Sequence, residues 1–294
     1  MEWLEVSVTV DNEAAEAVAE VLSRYAYHGV VIETGPEGWN TEPVVVRAYL
    51  PADDHARANK RRVEEALWHL GQIWPIPDPT FRPVAEADWE EAWKEQLRVL
   101  HIGQRVVIRP SWLDYTPAPG EIVIDLDPGM AFGTGLHPTT QLCLEALEEL
   151  VQPGMEVLDL GTGSGILAIA AAKFGARSVK AVDNDPVAVK TARENATAND
   201  VQEVIRVAEG SLEDVSGDYD LVVVNILARV IAEMLQAGLA TRIRPGKKLV
   251  AAGIISDQEA TVIEALERGE LVLVERRQRG DWVCLVIKRD QGLS

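Results

Sequence analysis

Apolar and polar residues alternate with a period of two along Trp3-Leu4-Glu5-Val6-Ser7-Val8-Thr9-Val10, the pattern of a half-buried strand. The period then lengthens. Behind Asp11 or Asn12, either of which suits a helix cap, Ala14, Ala17, Val18, Val21 and Leu22 share one helical face. The runs HGVVIET and PVVVRAYL, separated by the turn residues GPEG, read as two strands. A second helix is expected from about His55 to Leu70 and a last strand over Thr80 to Val84. This β-α-β-β-α-β order is that of the ferredoxin-like split βαβ unit. Pro75, Pro77, Pro79 and Pro83 mark a stiff connector, so residues 1–84 are expected to form a small α+β domain with its connector, and residues 85–294 a larger one.

The larger part opens on DWEEAWKEQLRVL, where Trp89, Trp93 and Leu97 fall four apart on one helix face and read as packing. RVVIRP and EIVIDLD follow as two strands with Pro117, Pro119 and Gly120 in the turn between them, a hairpin extension. From Gly154 onward, the short apolar strands EVLDL, SVKAVD, EVIRVAE, YDLVVVN and KKLVAAG alternate with helices starting near Ile166, Pro186, Ala228 and Asp257. Strands apolar on both faces, interleaved with helices, call for a parallel sheet covered on both sides. ELVLVERRQRGDWVCLVIKR closes the chain as a hairpin. The expected fold is therefore α/β: a doubly wound, Rossmann-like sheet of seven strands with the last antiparallel, as in methyltransferase sheets, preceded by the ferredoxin-like domain.

Composition narrows the class. With 294 residues, 47% hydrophobic and 26% charged, the chain can bury a large core. Its longest uncharged apolar runs, such as Ile166 to Ala172, fall far short of the roughly 20 residues a membrane helix needs. MEWLEV lacks the basic region and apolar core of a signal peptide, so a cytoplasmic location is expected. Cys143 and Cys284 match no CxxC spacing and read as buried apolar thiols rather than zinc ligands or a disulfide framework. A net charge of -19 argues against direct nucleic-acid binding and favours a basic partner. The first 55 residues hold eleven acids against two arginines, which suits either a solubilising surface or the steering of a cationic partner. No heptad or surface repeat argues for assembly, so a monomer is expected.

Candidate chemistry begins at VLDLGTGSGI, residues 157–166. A strand runs into Gly161-x-Gly163-x-Gly165 and then a helix, so backbone can approach a ligand closely. Asp183 ends the next strand in KAVDND, placed to accept both hydroxyls of a ribose. Nicotinamide cofactors share this geometry, but the spacing is GxGxG rather than GxGxxG. Phosphate-binding loops want open amides or a lysine, whereas S-adenosylmethionine brings a ribose and an amino-acid tail without phosphate. Asp159, just before the loop, could face that tail's ammonium. No GxxxxGK[ST], HExxH or GxSxG motif is present, and S-adenosylmethionine fits best. Asn225 ends a strand in YDLVVVNILARVI, either as a helix N-cap or as a site residue. In enzymes that methylate amides and bases the comparable stretch is Asn-Pro-Pro-aromatic; Asn-Ile-Leu-Ala here favours an amine carrying its own lone pair.

A second glycine run, DPGMAFGTGLHPTT, spans residues 127–140. Together with VLDLGTGSGILAIAAAKFGA, AVDNDPVAVKTARENA and VVVNILA, it resembles the bacterial methyltransferase family acting on ribosomal large-subunit protein eleven, over residues about 88 to 288. The resemblance implies that Thr140, Gly161, Asp183 and Asn225 contact S-adenosylmethionine, with Gly163 in the same loop. It also implies that the N-terminal domain recognises the basic ribosomal protein, and that the N-terminal amine and lysine side chains receive up to three methyls each. Phe132 is read as a hydrophobic gate over the methionine side that could meet a methylammonium through a cation–π contact. A lysine must lose its proton before attack, at about 4.6 kcal/mol at pH 7, against about 1 for an α-amine. His137 is the sole histidine in these motifs, either structural or a proton acceptor; no general base is assigned.

Overall fold

Among the described residues the strands form three sheets. The computed structural model describes residues 2–23, 25, 30–33, 44–52, 56–71, 75–85, 99–126, 135, 137–266 and 270–291. These fall into two compact units, one ending at Ala85 and one beginning at Val99.

The first unit runs β1 (Glu2–Val10), α1 (Asn12–Ser23), β2 (Val30–Glu33), β3 (Val44–Pro51), α2 (Ala56–Gly71) and β4 (Thr80–Ala85). Its sheet has the order β2-β3-β1-β4 with every pair antiparallel, the ferredoxin-like arrangement expected from the pattern. Period-two alternation sends Val6, Val8 and Val10 to one face, where they bury against Ala14, Val18 and Leu22 of α1 and Val63 and Leu67 of α2. The other face keeps Trp3 against Tyr49, whose hydroxyl donates to the buried Glu5 carboxylate at 3.2 Å. Asp11 is the residue that caps α1, its Oδ1 accepting from the Ala14 amide at 2.8 Å. Pro83 lies in β4, an edge strand, where a missing amide is tolerated.

The second unit starts with a three-stranded sheet of β5 (Leu100–Ile102), β6 (Val106–Arg109) and β7 (Ile122–Asp125). Here the expected hairpin is corrected. β6 and β7 are parallel, and the hairpin is β5–β6, turned at Gly103 with φ 61. The segment from Pro110 to Glu121 is long enough for a crossover, so the two strands need not reverse. The helix expected around Trp89, Trp93 and Leu97 lies outside the described residues.

Then come α3 (Pro138–Leu150), β8 (Glu156–Leu160), α4 (Ile166–Lys173), β9 (Ser178–Asp183), α5 (Pro186–Ala198), β10 (Ile205–Glu209) and β11 (Tyr219–Asn225). The unit ends with α6 (Ala228–Gln236), β12 (Ile243–Ile255), α7 (Glu259–Leu266), β13 (Leu271–Arg279) and β14 (Trp282–Arg289). The seven strands lie in the order β10-β9-β8-β11-β12-β14-β13. β14 is antiparallel to both its neighbours and the pairs among β8 to β12 are parallel, as the alternation predicts. Successive residues of one strand feed opposite cores. Val157, Leu221 and Val223 pack under α3 and α4, while Leu158, Leu160, Val222 and Val224 pack under α6 and α7. The order reverses between β8 and β11, which opens a crevice at their C-terminal ends, the usual ligand position in such sheets.

Candidate cofactor and methyl-transfer site

The crevice is built from the C-terminal ends of β8, β9 and β11 and the loops they lead into. Gly161, Gly163 and Gly165 all take positive φ, at 71°, 55° and 83°. At Gly161 the reason is also steric: a Cβ there would lie 2.5 Å from Ile226 Cγ2, so only glycine lets the two strand ends close together. The Gly161 amide donates to Val182 O at 2.8 Å, continuing the β8–β9 ladder into the loop.

Asp183 closes the loop from the neighbouring strand. Its Oδ2 accepts from the Gly163 amide at 2.8 Å and its Oδ1 from the Asp185 amide at 3.0 Å. A carboxylate has about four acceptor positions, so two remain for a ligand's hydroxyls, and the side chain is half-buried. Asp159 sits deeper, 1% exposed. The Thr162 hydroxyl donates to its Oδ2 at 2.6 Å, whereas its Oδ1 has no hydrogen-bond partner among the described residues. Burial pushes this carboxyl up to about 6; the Thr162 hydroxyl pulls it back, the negative charge of Asp183 adds to the rise, and the Ala168 backbone amide lowers it slightly.

Asn225 holds the third strand end. Its Nδ2 donates to Thr140 Oγ1 at 3.4 Å, and Thr140 is fully buried in the first turn of α3. The Asn225 Oδ1 is buried without a partner among the described residues. Asn225 is not the cap of α6; that position belongs to Leu227, which makes no side-chain cap bond. Among the described residues, two buried acceptors without donors thus stand at the ends of the paired strands β8 and β11.

The sequence profile described as ribosomal protein L11 methyltransferase (PrmA) matches residues 2–290. Among curated proteins, the ribosomal protein L11 methyltransferase of Chloroflexus aurantiacus is 48% identical over 98% of each chain. That of Herpetosiphon aurantiacus is 43% identical over 98% of this chain and 99% of its own. The chain belongs to the ribosomal protein L11 methyltransferase family. A crystal structure of the ribosomal protein L11 methylase from Lactobacillus delbrueckii subsp. bulgaricus is 34% identical, covers 66% of this chain and 98% of its own, and superposes with a TM-score of 0.59. As a member of this family the protein is a methyltransferase that uses S-adenosylmethionine.

In this family member the remaining residues singled out from sequence divide clearly. His137 caps α3: its Nδ1 accepts from the Thr139 amide at 3.3 Å and lies 2.6 Å from Thr139 Oγ1, and its ring stands edge-on to Trp282 at 4.6 Å. That is a structural position, buried at 6% exposure. Phe132, with all of 127–134, lies outside the described residues. Gly135 packs against Ile108 and Ile166, and its carbonyl accepts from Gln141 Nε2 at 3.4 Å. Sequence reasoning missed Thr162, although a hydroxyl three residues after Asp159 is a local side-chain pair worth reading. It also missed Ile226 and Leu227 as anything beyond a departure from Asn-Pro-Pro-aromatic. Among the described residues six large apolar side chains are exposed, and two flank this crevice: Val187 beyond Asp183, and Leu227 beyond Asn225.

Proposed function

We propose that this protein transfers methyl groups from S-adenosylmethionine to the N-terminal amine and lysine side chains of ribosomal protein L11, acting as a monomer in the cytoplasm. The observation that carries the site assignment is the pair of orphaned buried acceptors, Asp159 Oδ1 and Asn225 Oδ1. A ligand with an ammonium group supplies the donors they lack, and a negatively charged pyrophosphate does not. These acceptors therefore suit the amino-acid tail of S-adenosylmethionine better than a nicotinamide dinucleotide. Asp183 would take the ribose hydroxyls, Gly161 and Gly163 would bring backbone close, Thr140 and Asn225 would line the methyl-donor side, and Phe132 would cover it.

When bound, S-adenosylmethionine supplies an electrophilic methyl on a sulfonium centre. The chain's own task is to hold the incoming amine in line, neutral and dry. Thr140 fixes Asn225 through its side-chain amide, leaving the Asn225 carbonyl oxygen to accept from the amine or the ligand. Removal from water lowers an amine's pKa, which reduces the cost of the neutral form without a dedicated base. His137 is committed to capping α3, which supports a mechanism in which the proton leaves to solvent.

The N-terminal unit is proposed to dock the basic substrate. Its first 55 residues carry a net charge of -9, enough to steer a cationic protein within roughly 10 Å at ordinary salt. The decisive experiment is intact-mass measurement of purified ribosomal protein L11 after incubation with the enzyme and S-adenosylmethionine. Mass gains of whole methyl groups, abolished by Asp183→Ala, are expected; an unchanged mass with the cofactor demonstrably bound would overturn the reading.

A further inference from the structure

Leu227 is 58% exposed beside the crevice. It occupies the N-cap of α6 with φ -56 and ψ 136, where its carbonyl accepts from the Ile231 amide at 3.1 Å but its side chain makes no cap hydrogen bond. Ser, Thr, Asp or Asn serves that position better, and a leucine gains nothing from exposure. Both features count against stability, and neither is explained by packing.

The backbone around it is held firmly. A Cβ on Gly253 of β12 would lie 2.2 Å from Ile226 O, and one on Gly161 would lie 2.5 Å from Ile226 Cγ2. The Ile226 amide also donates to Ala252 O at 3.2 Å. Ile226 is wedged between two glycines that leave it room, with Asn225 tied to Thr140 on one side and Leu227 carried into solvent on the other. An apolar side chain is thus fixed next to a buried, unfilled acceptor.

We propose that Leu227 is a substrate-contacting, specificity-determining residue, the apolar ledge on which the methylene stem of an incoming lysine lies while its amine enters beside Asn225. The proposal rests on the reading that Asn225 lines the methyl-transfer site. A lysine has four methylenes to lay on such a surface, and covering them helps exclude water from the ammonium. An α-amine has no equivalent stem. Leu227 therefore favours lysine over the chain terminus and partly offsets lysine's less favourable deprotonation.

The test uses the full-length enzyme with Leu227→Ser and Leu227→Met, ribosomal protein L11 as substrate, and peptide-resolved mass spectrometry to follow each amine separately. Serine improves the cap, so Tm is expected to hold or rise by about 2–4 °C. For Leu227→Ser, kcat/KM for lysine methylation should fall at least about tenfold, α-amine methylation should fall less than about threefold, and the Kd for S-adenosylmethionine should be unchanged. Leu227→Met, which keeps the apolar surface, should restore lysine methylation. Unchanged lysine methylation in Leu227→Ser, or an equal loss at both amines, would overturn the proposal while leaving the enzyme's activity established. Failure of the unmodified enzyme to methylate L11 at all would instead overturn the underlying reading and this proposal with it.

Discussion

Replacing Asp159 with asparagine removes a buried charge while leaving an acceptor for the Thr162 hydroxyl. The carboxyl titrates at about 6 in the folded protein against an ordinary value of 3.8, a rise of about 2 units, or about 3 kcal/mol. The sign follows from proton binding: between about pH 4 and 6 the folded chain holds the proton and the unfolded chain has lost it, so this group lowers stability as pH rises through that window. Above it the penalty is constant. Asp159→Asn should therefore stabilise the cofactor-free enzyme at pH 7–8 by about 3 kcal/mol, since the raised value already includes the bond from Thr162. The gain should shrink toward zero near pH 4. Urea denaturation of both proteins from pH 4.5 to 8 reads this directly; a variant less stable than the parent at pH 8, or a difference independent of pH, would refute the reasoning. The same carboxylate makes a second, independent forecast. If it meets the ammonium of S-adenosylmethionine, binding at pH 6 pulls its pKa down and releases about half a proton. Calorimetry in buffers of different ionisation enthalpy measures that number, and net proton uptake would exclude the contact.

Thr140→Val keeps the shape of a fully buried side chain but deletes the hydroxyl that accepts from Asn225; methyl transfer should fall about tenfold or more with a stability loss of about 1 kcal/mol, checked by kinetics beside thermal melts. Phe132→Ala should lower methyl transfer with little change in Tm, and full activity at normal cofactor affinity would remove its role as a gate. Arg244 bonds Glu156, Asp220 and Asp218, and holds the Glu156 carboxyl below its ordinary value, with Asp220 also lowered by the Glu156 amide, Arg244 and Lys247. Arg244→Gln should cost about 2 kcal/mol at pH 7. Because depressed carboxylates lose their contribution as pH falls, that cost should diminish below about pH 4, a trend that denaturation at several pH values would test.

Much of this architecture could be read from patterning because the strands of the large sheet bury both faces and the N-terminal strands bury alternate residues, each leaving a distinct apolar rhythm. The glycine loop and Asp183 were legible because loop and acid are joined by one βαβ unit of fixed length. Long-range pairings were not. Thr140 and Asn225 are 85 residues apart, and nothing local marks them as partners. Cys143 and Cys284, expected only to be buried thiols, prove to be neighbours where α3 packs on β14, and the Cys284 thiol, ahead of burial, pushes the Cys143 thiol well up. The β5–β6 hairpin escaped notice because Leu100-His101-Ile102 is too short to display a period. The Asn199 side-chain amide pairs with both the backbone N–H and the carbonyl of Asp125, replacing a neighbouring strand at the end of β7. Such a pairing depends on tertiary placement rather than on propensity.

The two ends of the large sheet follow opposite rules, and the contrast bears on how the site works. At the N-terminal ends of β8, β11 and β12, Glu156, Asp220 and Arg244 satisfy one another. At the C-terminal ends the chain keeps a raised carboxyl at Asp159, an orphaned carbonyl at Asn225 and an exposed leucine in a poor cap position. Each of the latter lowers stability and each stands at the C-terminal end of the sheet, so the cost is local to the place where a ligand and an amine would relieve it. Substitutions at the two ends should therefore separate on a plot of stability against activity. Asp159→Asn and Leu227→Ser should move toward greater stability and lower turnover, and Arg244→Gln toward lower stability with turnover per folded molecule unchanged. If Asp159→Asn or Leu227→Ser lost both together, the unmet groups would be structural rather than held open for the reaction.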